Sequence, residues 1–302
     1  MPHYEVLLPK VNYTDWYSIV EVRVMRVITA IGCAAEIGYQ TYTANAYTTS
    51  QNQAGAAGGL IISNDMVYPL ASKIRQYLQQ KKPCNTNETP PAYDFAMGET
   101  VWETLRKDAE WKRGFDANMT FRNQTVSVSW QSKYPIHDRI PSIQAAATGV
   151  TASTKTKVVI VDIGGNQGVD LQRFANDFPE LDCATVEFPL TLLFFKGADI
   201  YYLKSVLHDW DDIASVKILS NTAKAMKSQS RLLINEMVLS DTEESLLRAE
   251  MDILMLFLSN GMERTKAQWV ELLSKVDPPL KIVEIWSHPG DQQSVIETCL
   301  AE

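Results

Sequence analysis

The stretch KVVIVDIGGNQGVDL, residues 157–171, decides the fold. It opens with a continuous apolar run, KVVIV, of the kind buried on both faces of a parallel sheet. Gly164, Gly165 and Gly168 follow, and the chain then enters DLQRFANDFPE, which reads as a helix. A strand that ends in a glycine turn and opens a helix is a binding device as well as a fold element. Glycine permits tight turning and lets a ligand approach the backbone, and the helix start offers free N–H groups. Asn166 stands where G-x-G-x-G has its middle glycine, and Asn tolerates positive φ better than other non-glycine residues.

Working outward toward the C-terminus, strands and helices alternate. CATVEF is the next strand and ends in Glu187, about 25 residues past Asp162, where a carboxylate can hold ribose hydroxyls. The strand ADIYYLKSVL, the helix DDIASVKILSNTAKAMKS and the strand RLLINEMVL follow, then the helices ESLLRAEMDILMLFLSNG and KAQWVELLSKV. Two closing strands, KIVEIWS and QSVIETCL, are joined by the turn HPGDQ. The pattern predicts a doubly wound α/β sheet with a terminal antiparallel hairpin. The glycine turn and Glu187 together read as a nucleoside site.

Toward the N-terminus, ATGVTASTKTK (147–157) reads as a linker, and residues 60–122 as mostly helical with an interrupting loop, KKPCNTNETPPAY. Residues 21–37 carry Val24, Val27, Ile28 and Ile31 at helical spacing with Gly32 as a stop, and YQTYTANAYT alternates like a hairpin. Helix then hairpin is the shape of a winged-helix unit. The division predicted is a helical winged-helix or dimerisation domain over 1–118 and a Rossmann-like catalytic domain over 119–302.

The 302 residues carry a net charge of −8 with no offsetting basic stripe, which argues against a nucleic-acid partner and turns the winged-helix unit toward homodimer packing. No run of about 18 apolar residues predicts a membrane span, and MPHYEVLLPK does not read as a secretory signal, so a cytoplasmic protein is expected. Cys33, Cys84, Cys183 and Cys299 are scattered without a CxxC pair, which predicts reduced thiols and no zinc site.

One of only four histidines, His208, sits in LKSVLHDWDD (203–212), at the carboxyl end of an apolar strand and among three aspartates. An α/β enzyme keeps a base there. VDIGGNQG, VEFP, YYLKSVLHDWDD, INEM and NGMERT occur in an order that resembles the S-adenosylmethionine-dependent O-methyltransferases of the plant caffeate type and their fungal polyketide relatives. The resemblance runs from about residue 20 to the end. It implies S-adenosylmethionine as cofactor, an aromatic or polyketide small molecule as acceptor, and a Rossmann-like methyltransferase fold. It implies His208 as general base, oriented by Glu236 of INEM and Glu263 of MERT. Asp162, Gly164, Gly165, Gly168, Glu187, Lys204 and Trp210 would hold the cofactor, Trp210 near the adenine. Met119 and Met255 would line the acceptor pocket. No metal is implied.

The chemistry agrees with these residue types. A phenol has a pKa near 10 and is mostly protonated at neutral pH. A histidine can take that proton as the oxygen attacks, and a flanking carboxylate fixes its tautomer. The pattern departs from the family between Glu187 and the strand near Asp199, where a parallel crossover of a dozen or more residues is expected and about ten stand. Some fungal relatives of this fold resemble pericyclases, which dehydrate or cyclise polyketide-derived substrates without methyl transfer, and that alternative stays open here.

Overall fold

The computed structural model describes residues 16–80, 89–125, 128–141, 143, 156–188 and 195–301. Its centre is a six-stranded sheet of β3 (Thr156–Ile163), β4 (Leu181–Phe188), β5 (Ile200–Lys204), β6 (Arg231–Glu236), β9 (Leu280–Trp286) and β10 (Ser294–Leu300), in the order β4-β3-β5-β6-β10-β9, while the short β7 (Val238–Leu239) and β8 (Arg264–Thr265) pair with each other. The first four are parallel, and β10 runs antiparallel to both β6 and β9. The chain thus places β4 on one side of β3 and β5 on the other. The order reverses there, and the crevice beyond the carboxyl ends of β3 and β5 is where such sheets bind ligands.

Continuous apolar strands fill both faces, as the run at 157–161 predicts. Val161, Ile163, Tyr201 and Leu203 pack on one face with Leu219 and Ala223 of α11 (Asp212–Ala225) and with Trp269 and Leu272 of α13 (Lys266–Ser274). Val158, Ile160, Ile200 and Tyr202 pack on the other with Leu171 and Phe174 of α10 (Val169–Asp177). Trp130 and Tyr134, around the short helix α8 (Trp130–Lys133) that precedes α9 (Ile136–Arg139), join this second core, and Trp130 stacks on Phe174 at 5.3 Å. The same segment is pinned by two buried charges: Lys133 Nζ donates to Asp291 Oδ2 at 2.6 Å, and Arg139 Nη2 lies 2.9 Å from the buried Glu297 Oε2. Burial of a charge is costly unless it is paired, so these pairs fix where the segment lies.

The N-terminal half comprises α1 (Trp16–Ala30), a hairpin of β1 (Ala35–Gly38) and β2 (Thr41–Thr43), α2 (Ala46–Gln51) and α3 (Ala54–Ile62). From α3 a π-helical turn, Ser63–Val67, leads into α4 (Tyr68–Leu78), and α5 (Ala92–Met97), α6 (Val101–Lys107) and α7 (Ala109–Thr125) follow. Gly32, at φ +78°, ends the α1 segment as the sequence predicts. The hairpin, however, is shifted from its expected place at 39–48. Asn45 caps α2: its side chain accepts from Thr48 N at 3.0 Å while Thr48 Oγ1 accepts from Asn45 N. That reciprocal cap outweighs the apolar alternation of TANAYT.

The division at 118/119 falls inside α7, an unbroken helix. Early in α7, Gly114 lies so close to α3 that a Cβ on Gly58 would overlap its carbonyl, and Asn118 Nδ2 donates to Gly55 O at 2.9 Å. Late in α7, Asn123 Nδ2 reaches Asp170 of α10 at 3.0 Å. One helix therefore ties both halves together. The expected linker lies almost wholly outside the described residues, as do 81–88 of the expected loop and 189–194 of the short crossover.

Candidate active site

The glycine turn begins at Asp162, buried on β3 and paired in register with Glu187 on β4. Gly164 (φ +79°), Asn166 (φ +55°) and Gly168 (φ +67°) all adopt left-handed backbone, so Asn166 performs the turn its position demands. Gly165 is required for a different reason: a Cβ there would overlap the Asp162 carboxylate. Sequence, turn and carboxylate thus form one cradle at the switch point. Beside it, Lys204 at the end of β5 places Nζ 3.1 Å from both carboxylate oxygens of Asp170, in the first turn of α10. Burial lowers the lysine pKa despite that partner. Nothing is described of the Glu187 side chain.

The second part of the site is built from buried charge. His208 lies in the turn Leu207–Asp209 that follows β5. Its Nδ1 is 2.8 Å from Glu263 Oε1 and 3.7 Å from Glu236 Oε2. Glu236, at the end of β6, is fully buried, and its Oε1 accepts the backbone N–H groups of Val206 and Leu207, each at 2.8 Å. The second oxygens, Glu236 Oε2 and Glu263 Oε2, are buried and accept no hydrogen bond among the described residues. Asp209 Oδ1 stands 3.7 Å from His208 Nε2. Burial alone would lower the imidazole pKa, but Glu236, Asp209 and the hydrogen bond to Glu263 outweigh it and push it up to about 10. Burial raises Glu236 to about 7 and Asp209 to about 6. The three ligand atoms of His208, Glu236 and Glu263 lie within 4.8 Å of one another, close enough for a cation; the short Nδ1–Oε1 contact marks a proton's place.

Sequence reasoning found the histidine and both glutamates and missed what holds them. Gly261 packs so tightly on the 208–209 peptide that a Cβ would overlap the His208 carbonyl. Met262 N donates to that carbonyl at 2.9 Å. Arg264, wholly buried, donates to Leu207 O and Trp210 O, both at 2.9 Å, and to Asp212 Oδ1 and Ser215 Oγ. Asp252, on α12 (Leu246–Ser259), accepts Glu263 N at 2.8 Å. The signal was present in NGMERT, where a glycine and an arginine flank the glutamate.

With this geometry in view, comparison with known proteins is informative. Residues 193–276 match an O-methyltransferase domain family. The O-methyltransferase ATR12 of Stachybotrys chlorohalonatus is 30% identical over 91% of this chain and 73% of its own length. The chain belongs to the S-adenosylmethionine-dependent O-methyltransferases. Among solved structures, OxaC in complex with sinefungin and meleagrin superposes with a TM-score of 0.76 at 23% identity, over 94% of this chain and 76% of that one. A pericyclic reaction enzyme superposes with a TM-score of 0.77 at 18% identity, over 94% and 77%, which shows a shared fold.

The remaining expected site residues of this methyltransferase are Trp210, Met255 and Met119. Trp210 follows Asp209 and stacks on Trp102 of α6, with centroids 6.1 Å apart and planes 11° from parallel. The pair lines a groove of about 360 Å³ together with Asp94, Asp209, Asp211 and Asn260. Met255 is buried on α12 but belongs to none of the three apolar clusters identified among the described residues. Met119 is half-buried on α7. The described residues include no helix long and apolar enough to cross a membrane.

Proposed function

We propose that this methyltransferase methylates a phenolic hydroxyl of an aromatic or polyketide small molecule, with His208 as the proton acceptor. The observation that carries the reading is the 2.8 Å bond from His208 Nδ1 to Glu263, backed by the buried Glu236. S-adenosylmethionine supplies a methyl group already activated on a sulfonium. In this reading Asp162, Gly164, Gly165, Gly168 and Glu187 hold the donor, with Lys204 and Trp210 as further contacts, a reading supported by the left-handed glycine turn at the switch point of the sheet. Met119 and Met255 face the acceptor in this reading.

A phenol is the acceptor this base fits. Carboxylates that push the imidazole pKa above its ordinary value make the neutral imidazole a stronger base, which narrows the gap to a phenol of pKa near 10. An aliphatic alcohol is a far weaker acid and would leave the step uphill. With Nδ1 committed to Glu263, Nε2 is the nitrogen left for the acceptor hydroxyl. The carboxylates around it favour any cation, so a cationic ligand beside them competes with the imidazolium proton and brings His208 toward the neutral form.

One observation favours a second reading. Three carboxylates, Glu263, Glu236 and Asp209, lie within 3.7 Å of the imidazole and favour its protonated form, which suits an acid for dehydration or pericyclic chemistry on a polyketide-derived substrate. Measuring S-adenosylhomocysteine released per product across a phenolic panel separates the two. A ratio near one supports methyl transfer; product without release sinks it.

We further propose that the helical half up to about residue 118 serves as a dimerisation unit, because Val24, Val27 and Ile31 on and just beyond α1 are 48%, 60% and 67% exposed. A sedimenting monomer at micromolar concentration would count against a homodimer.

A further inference from the structure

Four consecutive residues, Gly261 to Arg264, grip the turn that carries His208, and each does so by different chemistry. Gly261 gives the 208–209 peptide room. Met262 N–H holds the His208 carbonyl. Glu263 holds the imidazole. Arg264 closes the clasp from behind: its guanidinium takes the carbonyls on both sides of the histidine, Leu207 O and Trp210 O, and is anchored to Asp212 and Ser215 of α11. A planar fork that reaches two carbonyls and a carboxylate at once is a task lysine cannot copy, since an ammonium is a point donor. The other end of the clasp is set by Asp252, whose carboxylate holds Glu263 N–H from α12, the helix that also carries Met255.

We propose that Arg264 is a positioning residue: it fixes the turn 207–210 so that the His208 imidazole stays within hydrogen-bond reach of Glu263, with Asp252 holding the opposing arm. Arg264 touches neither ligand in this scheme and acts only through His208. Without it, Leu207 O and Trp210 O lose their shortest donor and keep only longer contacts, Ser215 Oγ at 3.4 Å to each among them, so the turn, still tied by Glu236 and Met262, loosens on its α11 side while Glu263 stays held by Asp252. A displacement of about 1 Å at a reacting group costs on the order of 10²-fold in rate. The groups that face the imidazole are Glu236 from β6, Asp209 from its own turn and Glu263, so loosening the turn weakens at least two of the three attractions that raise its pKa.

The role of His208 in the reaction is the proposal above, so the decisive measurement is made without turnover. In the full-length protein, the His208 imidazole is titrated by NMR, its signal assigned with His208→Gln, in wild type, Arg264→Lys and Asp252→Ala. The expected result is a His208 pKa that falls from near 10 toward the ordinary 6.5 in Arg264→Lys, and less far in Asp252→Ala. Where a methylated product is in hand, kcat should drop on the order of 10²-fold in Arg264→Lys, with the KM for S-adenosylmethionine changed less than about threefold. A folded Arg264→Lys whose histidine titrates as in wild type overturns the proposal, even if its melting temperature falls. If Arg264→Lys does not fold, Asp252→Ala, which removes the acceptor of the Glu263 N–H, decides alone, and an unshifted histidine there has the same consequence. A shifted titration with no methyl transfer to any phenol, wild type included, would leave the clasp standing and remove the reading of His208 as the base for a phenol.

Discussion

The two parts of the site sit side by side at the carboxyl ends of β3, β5 and β6, yet they are made of different material. The glycine turn is a backbone object: three left-handed residues and one missing Cβ shape it, and its side chains are small. The His208 clasp is a side-chain object, in which Glu236, Glu263 and Arg264 are all buried and held by named donors and acceptors. A backbone cradle tolerates water and neighbouring change. A buried charge cluster does not, because any partner removed leaves another uncompensated. The parts should therefore fail differently, the clasp in chemistry and the turn in donor binding.

The largest failure is expected at His208. His208→Ala should lower kcat by about 10²–10⁴ while the affinity for S-adenosylhomocysteine stays nearly unchanged. Glu236→Gln and Glu263→Gln should each cost less, and their effects should not add to that of His208, since the three act as a unit. Equal losses of donor affinity and of kcat would mean that the two parts are one, and the distinction drawn here would fall.

The next effect belongs to the turn. S-adenosylhomocysteine should raise the melting temperature of the wild-type protein by binding the native state alone. Gly165→Ala forces a Cβ onto the buried Asp162 carboxylate and should cost about 1–3 kcal/mol of stability, with weakened ligand stabilisation. Glu187→Ala should remove most of the ligand shift. A ligand shift unchanged in both variants would place the donor away from this turn.

The same contrast governs what could be read from the sequence. The turn was legible because all its parts lie within a few residues, and Asn166 in a glycine position could be judged from its own conformational tolerance. His208, Glu236 and Glu263 came together only through a resemblance, since 28 and 55 positions separate the glutamates from the histidine and no local pattern brings them close. Arg264 stood in NGMERT without a role because most of its partners, Leu207 O, Trp210 O, Asp212 and Ser215, lie about 50 positions away, and Asp252 had no signal at all because its partner is a backbone N–H, which nearly every residue possesses. The hairpin was misplaced because alternation alone was counted, while a side-chain cap at Asn45 decided the boundary. The expected division at 118/119 falls inside α7, whose two ends serve different neighbours, which apolar spacing does not reveal.

The smallest expected effect is the most specific to buried charge. The folded protein raises the His208 pKa from 6.5 to about 10, so it binds that proton more tightly than the unfolded chain does. The resulting stabilisation is fully present below about pH 6.5 and is lost as pH rises through 10. Glu236, raised from 4.5 to about 7, and Asp209, raised from 3.8 to about 6, have the same sign: each favours the fold while protonated and loses that contribution as pH climbs through its native value. Wild-type melting temperature should therefore decline in two windows, about pH 4–7 from the carboxyls and about pH 7–10 from the imidazole. His208→Gln removes the second window. It should also carry the first upward, because Glu236 then ionises without a cation beside it. A scan of melting temperature from pH 5 to 10 in both proteins tests this. Above pH 8 the variant should be flatter than wild type by a few degrees, whereas parallel curves would show that the imidazole proton is not held by the clasp at all.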